Sequence, residues 1–357
     1  MSLLDRVFDR SGRSAAEAVL TKLVAYLSAL ETEKRQREKI TDKTNEGCTK
    51  YLAQLKIHCF GNEDTEVTKE GVLALAVEGC RTDILSLLVR NLPVLDFEAR
   101  KDVGAVFGAL VRVREGETDS GPGAVYVLQH PELLELLKCR CDEPSVALVC
   151  GAMLRDCTRD EAIARTVLYS PMFMEFFDKV QVANFEIASD AFSTFKDLLT
   201  RHKATVAAFL QEQYTPFFAA YMKLLQSSNY VTKRQSLKLL GELLLDRSSV
   251  KVMVKFVGEV PHLVTMMMLL KDQSRSIQFE AFHVFKVFVA NPNKPTPIVE
   301  ILAGNRDKLL KYLEEFHTDK DEDEQFKEEK AVLIREISSL SPPAPAEPAP
   351  APAPDGS

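Results

Sequence analysis

Apolar residues recur at helical spacing along almost the whole chain, and alternating, strand-like runs are nearly absent. From Ser14 to Glu31, the residues Ala16, Leu20, Leu23, Leu27 and Leu30 fall at alternating steps of four and three, which predicts a helix with one apolar side. The same periodicity continues as far as Leu340. Residues 32–47 are highly polar and read as helical or loosely ordered, while Gly61–Asp64 and Arg114–Gly123 have the Gly, Pro, Asn and Asp content of loops. Residues 229–247 predict a helix of about five turns. Asn229 is placed to accept hydrogen bonds from the free N–H groups of its first turn. Leu237, Leu240 and Leu244, with Leu243 beside them, form an apolar stripe. Tyr230, Arg234 and Lys238 recur at steps of four and form a second stripe on a different face. Spacing alone leaves a solvated face and a binding face equally open for that second stripe.

The second half of the chain repeats itself. Pro171, Pro216 and Pro261 are 45 residues apart, and each fits the first position of a helix, where a missing N–H costs nothing. Two and five residues beyond them stand Phe173 and Phe176, Phe218 and Tyr221, and Leu263 and Met266. Pro131, with Leu133 and Leu136, is an earlier copy 40 residues upstream. The longer helices repeat too. Ala191-Phe192, Ser236-Leu237 and Ala281-Phe282 are 45 apart, Ala147-Leu148 precedes them by 44, and Ala105-Val106 is a weaker copy 42 earlier. Three residues on come Ala109, Gly151, Phe195, Leu240 and Phe285. Periods of about 40–47 belong to HEAT and armadillo arrays. The predicted fold is all-α, an armadillo/HEAT-like helical-repeat solenoid. Its units bury one another's apolar faces and form a curved rod with a concave binding face. A last helix over Asp321–Leu340 presents Phe326, Val332, Leu333 and Ile337 and keeps Glu322, Asp323, Glu324, Glu328 and Glu329 wet. The expected organisation is an N-terminal tail at 1–13, the repeat domain at 14–340, and a Pro/Ala-rich tail at 341–357 whose composition predicts extended, disordered chain without a core.

Composition narrows the function. The 357 residues suffice for one large domain or two, and 46% hydrophobic content supports a sizeable core. A net charge of −7 argues against a general nucleic-acid binder. The first ten residues carry charges where a secretory signal needs an apolar run, and no stretch approaches the roughly 18 apolar residues of a membrane span. Seven scattered cysteines fit a reducing compartment, so the expected location is the cytoplasm.

No catalytic set emerges. The phosphate-cradling glycine motifs, His-Glu-x-x-His and the protein-kinase loops are all missing. Cys139-Arg-Cys141, with Cys150 and Cys157, is the best metal candidate, but one residue between paired cysteines is poor zinc spacing. These read as thiols, and neither a metal nor a cofactor is expected. His202, between Arg201 and Lys203, reads as a helix-end cation beside the negative pole of the helix.

The stretch 229–247 closely resembles the calcium-binding-protein-39 family, the armadillo-like kinase scaffold also called mouse protein 25. So do Phe185–His202, Ser274–Lys294 and Glu322–Phe326. The resemblance runs from about residue 14 to 340. It implies a non-catalytic scaffold that cups a kinase or pseudokinase of the sterile-twenty class in its concave face and holds it in the closed, active shape. It also implies a three-protein complex in the best-known case and a monomer when free. By motif, Phe185, Tyr230, Arg234, Lys238 and Arg247 correspond to family residues on that face, and Val250 stands where an aromatic is usual. A second family site grips a Trp-Glu-Phe-type peptide. Met267 and Lys308 match its residues, and Gly304 replaces a usual lysine. Despite the family's name, Asp319–Asp323 does not continue as a calcium loop, because Glu324 replaces the turn glycine and Lys330 the bidentate glutamate. The competing reading is an armadillo adaptor for extended peptides. It relies on Asn and Trp ladders, and this chain has no Trp. An enzyme with an unrecognised site is the third reading, and no clustered nucleophile, base or metal set supports it.

Overall fold

A computed structural model describes residues 10–36, 41–116, 120–317 and 324–340. The N-terminal tail before residue 10, the Pro/Ala-rich tail at 341–357 and the acidic Asp319–Asp323 lie outside the described residues. Apart from one isolated bridge between Asn62 and Thr65, the regular elements among the described residues are helices. They fall into two compact units that divide between Glu212 and Gln213. The first holds α1 (Arg10–Arg35), α2 (Asp42–Phe60), α3 (Lys69–Arg81), α4 (Ile84–Asn91), α5 (Phe97–Arg112), α6 (Pro122–Gln129), α7 (Glu132–Arg140), α8 (Ala147–Cys157), α9 (Glu161–Tyr169), α10 (Pro171–Lys179), α11 (Phe185–Thr200) and α12 (Lys203–Glu212). The second holds α13 (Tyr214–Leu225), α14 (Tyr230–Leu245), α15 (Val250–Val257), α16 (Val260–Leu269), α17 (Arg275–Ala290), α18 (Thr296–Gly304), α19 (Arg306–Glu315) and α20 (Glu324–Ser339).

Every third helix packs on its predecessor. In the first unit α2 packs on α5, α5 on α8 and α8 on α11; in the second, α14 packs on α17 and α17 on α20. Three helices therefore make one repeat, the arrangement behind the 45-residue spacing. The repeated apolar positions pack neighbouring helices of a repeat against one another as well. Phe173 stacks on Phe195 with ring centroids 5.7 Å apart, and Phe282 on Phe316 at 5.5 Å. Phe173, Phe195 and Phe282 are fully buried, and each contributes about 1.5–3 kcal/mol by leaving water. Among the described residues, no single helix is long and apolar enough to cross a membrane.

Several expectations shift in detail. Only Pro171 stands at the first position of its helix. Pro261 is second in α16, Pro216 third in α13, and Pro131 is the N-cap of α7. All four lie at or within the first turn, whose N–H groups have no acceptor in the helix, so the physical reason survives the change of position. The predicted loop over Arg114–Gly123 ends early, because Gly121 caps α6 and Pro122 opens it. Leu148, read as core, is 48% exposed, while its neighbour Ala147 is buried. In α20, Val332 faces water and Lys330 is buried instead, its Nζ bonded to the carbonyl of Phe316. His202 does meet a helix C-terminus, but that of α8: its Nε2 lies 2.9 Å from the carbonyl of Thr158, which caps that helix.

Candidate functional site

The predicted helix over 229–247 is α14, and it stops at Leu245. Asn229 caps it, its Oδ1 accepting from the N–H groups of Val231 at 3.0 Å and Thr232 at 3.2 Å. Asp246 leaves the helix in extended geometry, and Arg247 opens a separate 3₁₀ turn to Ser249. Leu237, Leu240, Leu243 and Leu244 are all buried. The opposite row is exposed: Tyr230 at 45%, then Arg234 and Lys238.

This exposed row borders α17. The Nε of Arg234 stands 3.8 Å from a Glu280 carboxylate oxygen, a loose pair whose arginine is 45% exposed. One residue before it, Lys233 makes a closer pair with Asp272 at 3.1 Å. At the start of the row, a hydrogen bond from Ser276 holds the Tyr230 phenol below its ordinary pKa. Slight burial works against this shift, and Ser274 and the charge of Arg234 add to it. So the cations are not a bare same-sign row. Arg234 has a carboxylate across the interface, whereas Lys238 projects into solvent.

Phe185 is the first residue of α11 and is 65% exposed. Asn184 caps that helix through the N–H groups of Glu186 and Ile187. The sequence reading missed a third instance of this pattern. Phe97 opens α5, is 66% exposed, and follows the cap Asp96, whose Oδ1 accepts from Ala99 at 2.8 Å. Lys101, one turn on, lies 4.1 Å above the Phe97 ring, a cation–π contact. The signal was present in the sequence: Asp96-Phe97, Asn184-Phe185 and Asn229-Tyr230 each pair a helix-capping residue with an aromatic.

Met267 is half-buried on α16, and Lys308 is exposed on α19. The hydroxyl of Tyr312, also on α19, donates to the carbonyl of Leu270 just past α16, which ties these helices together. Gly304 is exposed, and a Cβ there would meet nothing within 4 Å. A lysine at that position would therefore fit without strain from neighbours.

Ion pairs join successive long helices in the first unit. Arg112 of α5 meets Asp156 of α8 at 2.5 Å, and Arg155 of α8 meets Asp190 of α11 at 2.7 Å. Each carboxylate sits against a glycine. A Cβ on Gly108 would lie 2.2 Å from Asp156 Oδ2, and one on Gly151 would lie 1.7 Å from Asp190 Oδ2. The helix surface is hollowed there to seat the acid. The cysteines beside this region are free thiols. Burial pushes Cys141 up to about 12, with smaller and opposing contributions from nearby charges.

The family model for Mo25-like proteins matches residues 6–341, which takes in both units and each element above. The chain belongs to the Mo25-like family. Its relatives include the degreening-related gene dee76 protein of Auxenochlorella protothecoides, 55% identical over 308 residues that cover 86% of this chain and 95% of that protein. The calcium-binding protein 39-like protein of Mus musculus is 46% identical over 339 residues, covering 95% of this chain and 98% of its own. MO25-like protein 2 of Caenorhabditis elegans is 45% identical over 338 residues, at 95% and 99% coverage. In this Mo25-like chain the exposed aromatics and the α14 stripe thus lie well inside the span that defines the family.

Proposed function

We propose that this Mo25-like protein is a non-catalytic scaffold that binds a protein kinase or pseudokinase of the sterile-twenty class and stabilises its closed, active conformation. The observation that carries the reading is the row Tyr230, Arg234 and Lys238, held out on a helix whose other face is locked into the core. A side-chain row on a rigid, well-capped helix is preorganised and loses little further freedom on binding. Family membership supports the choice of partner. On this reading Arg247 extends the row, and Phe185 is a further apolar contact on the first unit. Met267 and Lys308 form a separate apolar-plus-cationic grip for a Trp-Glu-Phe-type peptide.

The scaffold acts by population shift: it binds the closed kinase better than the open one, and a preference of about 1.4 kcal/mol changes the ratio tenfold. In the kinase, closure sets the Lys–Glu pair required for phosphoryl transfer. The test combines Arg234→Ala with Lys238→Ala in a kinase assay at saturating scaffold, beside a thermal melt. Arg234 makes a loose pair with Glu280, half-exposed on the arginine side and of the kind worth about 0–1 kcal/mol, and a hydrogen bond to the exposed Tyr230 hydroxyl. The double variant is therefore expected to keep its melting temperature within a few degrees and to lose stimulation. Full stimulation by the folded double variant overturns the proposal.

A further inference from the structure

The hydroxyl of Tyr230 is engaged on three sides. Ser276 of α17, Ser274 at the N-cap of that helix, and Arg234 one turn along α14 all hydrogen-bond to it. A phenol oxygen has two lone pairs and one proton, three bonding positions in all. The guanidinium only donates, so it takes a lone pair, and the two serines take what remains, whichever way their own protons point. Three partners fill three positions, and nothing of the hydroxyl is left for an outside molecule.

The connection into α17 is built to hold this clasp. Ser274 is an N-cap whose side chain makes no cap bond, because the hydroxyl turns to Tyr230 instead. Its N–H donates to Asp272 Oδ1 at 2.9 Å, and Lys233 of α14 pairs with Asp272 Oδ2 at 3.1 Å. The carbonyl of Asp272 accepts from the Gln278 side chain at 2.7 Å. The serines are therefore pinned beside the row rather than carried on a loose loop.

What the row still offers outward is donors. Lys238 is exposed and carries three N–H groups, and Arg234 carries five, one of them bonded to Tyr230. The Glu280 oxygen at 3.8 Å from Arg234 Nε is too far for a hydrogen bond. From Tyr230 to Lys255 the exposed charged side chains are five cations and one acid, Glu242. That is a local reversal of sign in a chain whose net charge is −7.

We infer that Ser274 and Ser276 leave the row able only to donate, and that the surface it accepts is a carboxylate-bearing strip of the partner kinase domain. This rests on the reading of the row as a binding face. On an unmodified protein domain the anionic acceptor is a carboxylate, which answers a guanidinium with two parallel N–H···O bonds. The Tyr230 ring, not its oxygen, supplies the contact beside them. Ser274 and Ser276 are positioning residues, acting through Tyr230 on Arg234.

The test uses the full chain labelled with ¹⁵N-arginine and ¹³Cζ-tyrosine, with the Arg234 Nε and Tyr230 signals assigned through Arg234→Lys and Tyr230→Phe. The probes are acetyl-hexaglutamate amide and, as the neutral control, acetyl-hexaglutamine amide, so that no kinase enters the measurement. The expected result is a saturable shift of Arg234 Nε with hexaglutamate, about tenfold or more weaker with hexaglutamine, weakened about threefold or more in Ser276→Ala and restored in Ser276→Thr. Without peptide, Tyr230 should titrate at higher pH in Ser276→Ala than in the parent chain, and Ser276→Thr should bring it back. General loosening of α17 would not be reversed by the added methyl of threonine. A thermal melt confirms that each variant is folded, and Ser274→Ala carries the comparison if Ser276→Ala does not fold. Three results overturn the inference: no saturable Arg234 shift, equal affinity for the two peptides, or unchanged affinity in the folded serine variant. A positive peptide result beside a failed kinase assay rejects the kinase and keeps the donor-only row, and the reverse pair of results rejects the donor-only row and keeps the kinase.

Discussion

Replacing Gly151 by alanine tests whether the inter-repeat ion pairs are built into the packing. In an ordinary exposed helix the change stabilises by about 1 kcal/mol, because glycine has more backbone freedom to lose. Here the new Cβ would stand 1.7 Å from Asp190 Oδ2 and 2.8 Å from its Cγ, so the carboxylate must leave its seat. Leaving breaks the 2.7 Å pair with Arg155, whose partners are only 23% and 16% exposed. A charge-assisted hydrogen bond of this kind is worth about 1.5–3 kcal/mol. Arg155 keeps its 2.8 Å bond to Thr194, which limits the damage. The balance is a net loss of about 1–2 kcal/mol, the larger effect winning over helix propensity. In an Asp190→Ala background the carboxylate is gone and only the flexible end of Arg155, at 3.3 Å, must give slightly, so the same Gly151→Ala should stabilise by about 0.5–1 kcal/mol. The assay is hydrogen exchange of the α8 and α11 amides across the four-variant cycle in the full chain, which reads local stability without assuming that both units unfold together. An effect of the same sign in both backgrounds would refute the reasoning.

Asn229→Ala removes the two cap bonds of α14 and should cost about 1 kcal/mol, seen as fraying of its first turn by hydrogen exchange. Iodoacetamide at pH 8 should label the exposed Cys139 and spare Cys48, Cys59 and Cys141, whose thiols burial pushes up to about 12; peptide mass mapping checks this. Because the folded state holds those protons to a higher pH than the unfolded chain does, stability falls as pH rises above the ordinary thiol value of about 8.5, and melts from pH 8 to 10 should show the decline. Met267→Ala should weaken a Trp-Glu-Phe peptide by about tenfold in a fluorescence-anisotropy titration without lowering the melting temperature; equal affinity counts against the pocket.

The sequence by itself determined the helices, their spacing of about 45 residues and much of their local chemistry. Asn229 was legible as a cap and the leucines of α14 as its buried face, because both follow from contacts within a few residues of the same helix. The same holds for Phe173, Phe195 and Phe282, each of which stands at a position that recurs about every 45 residues. Only the tertiary structure decided what lies across the interfaces. Leu148 has the repeat's core register and is nonetheless exposed, whereas Lys330 is buried beneath Phe316. Arg234 meets Glu280 and Gly151 makes room for Asp190, pairings of residues 46 and 39 positions apart in the chain. Periodicity states which side of a helix is apolar, but the azimuth and height at which two helices meet come from the summed packing of all their side chains. That register, fixed only when the repeats stack, decides which charges pair and which pockets stay open.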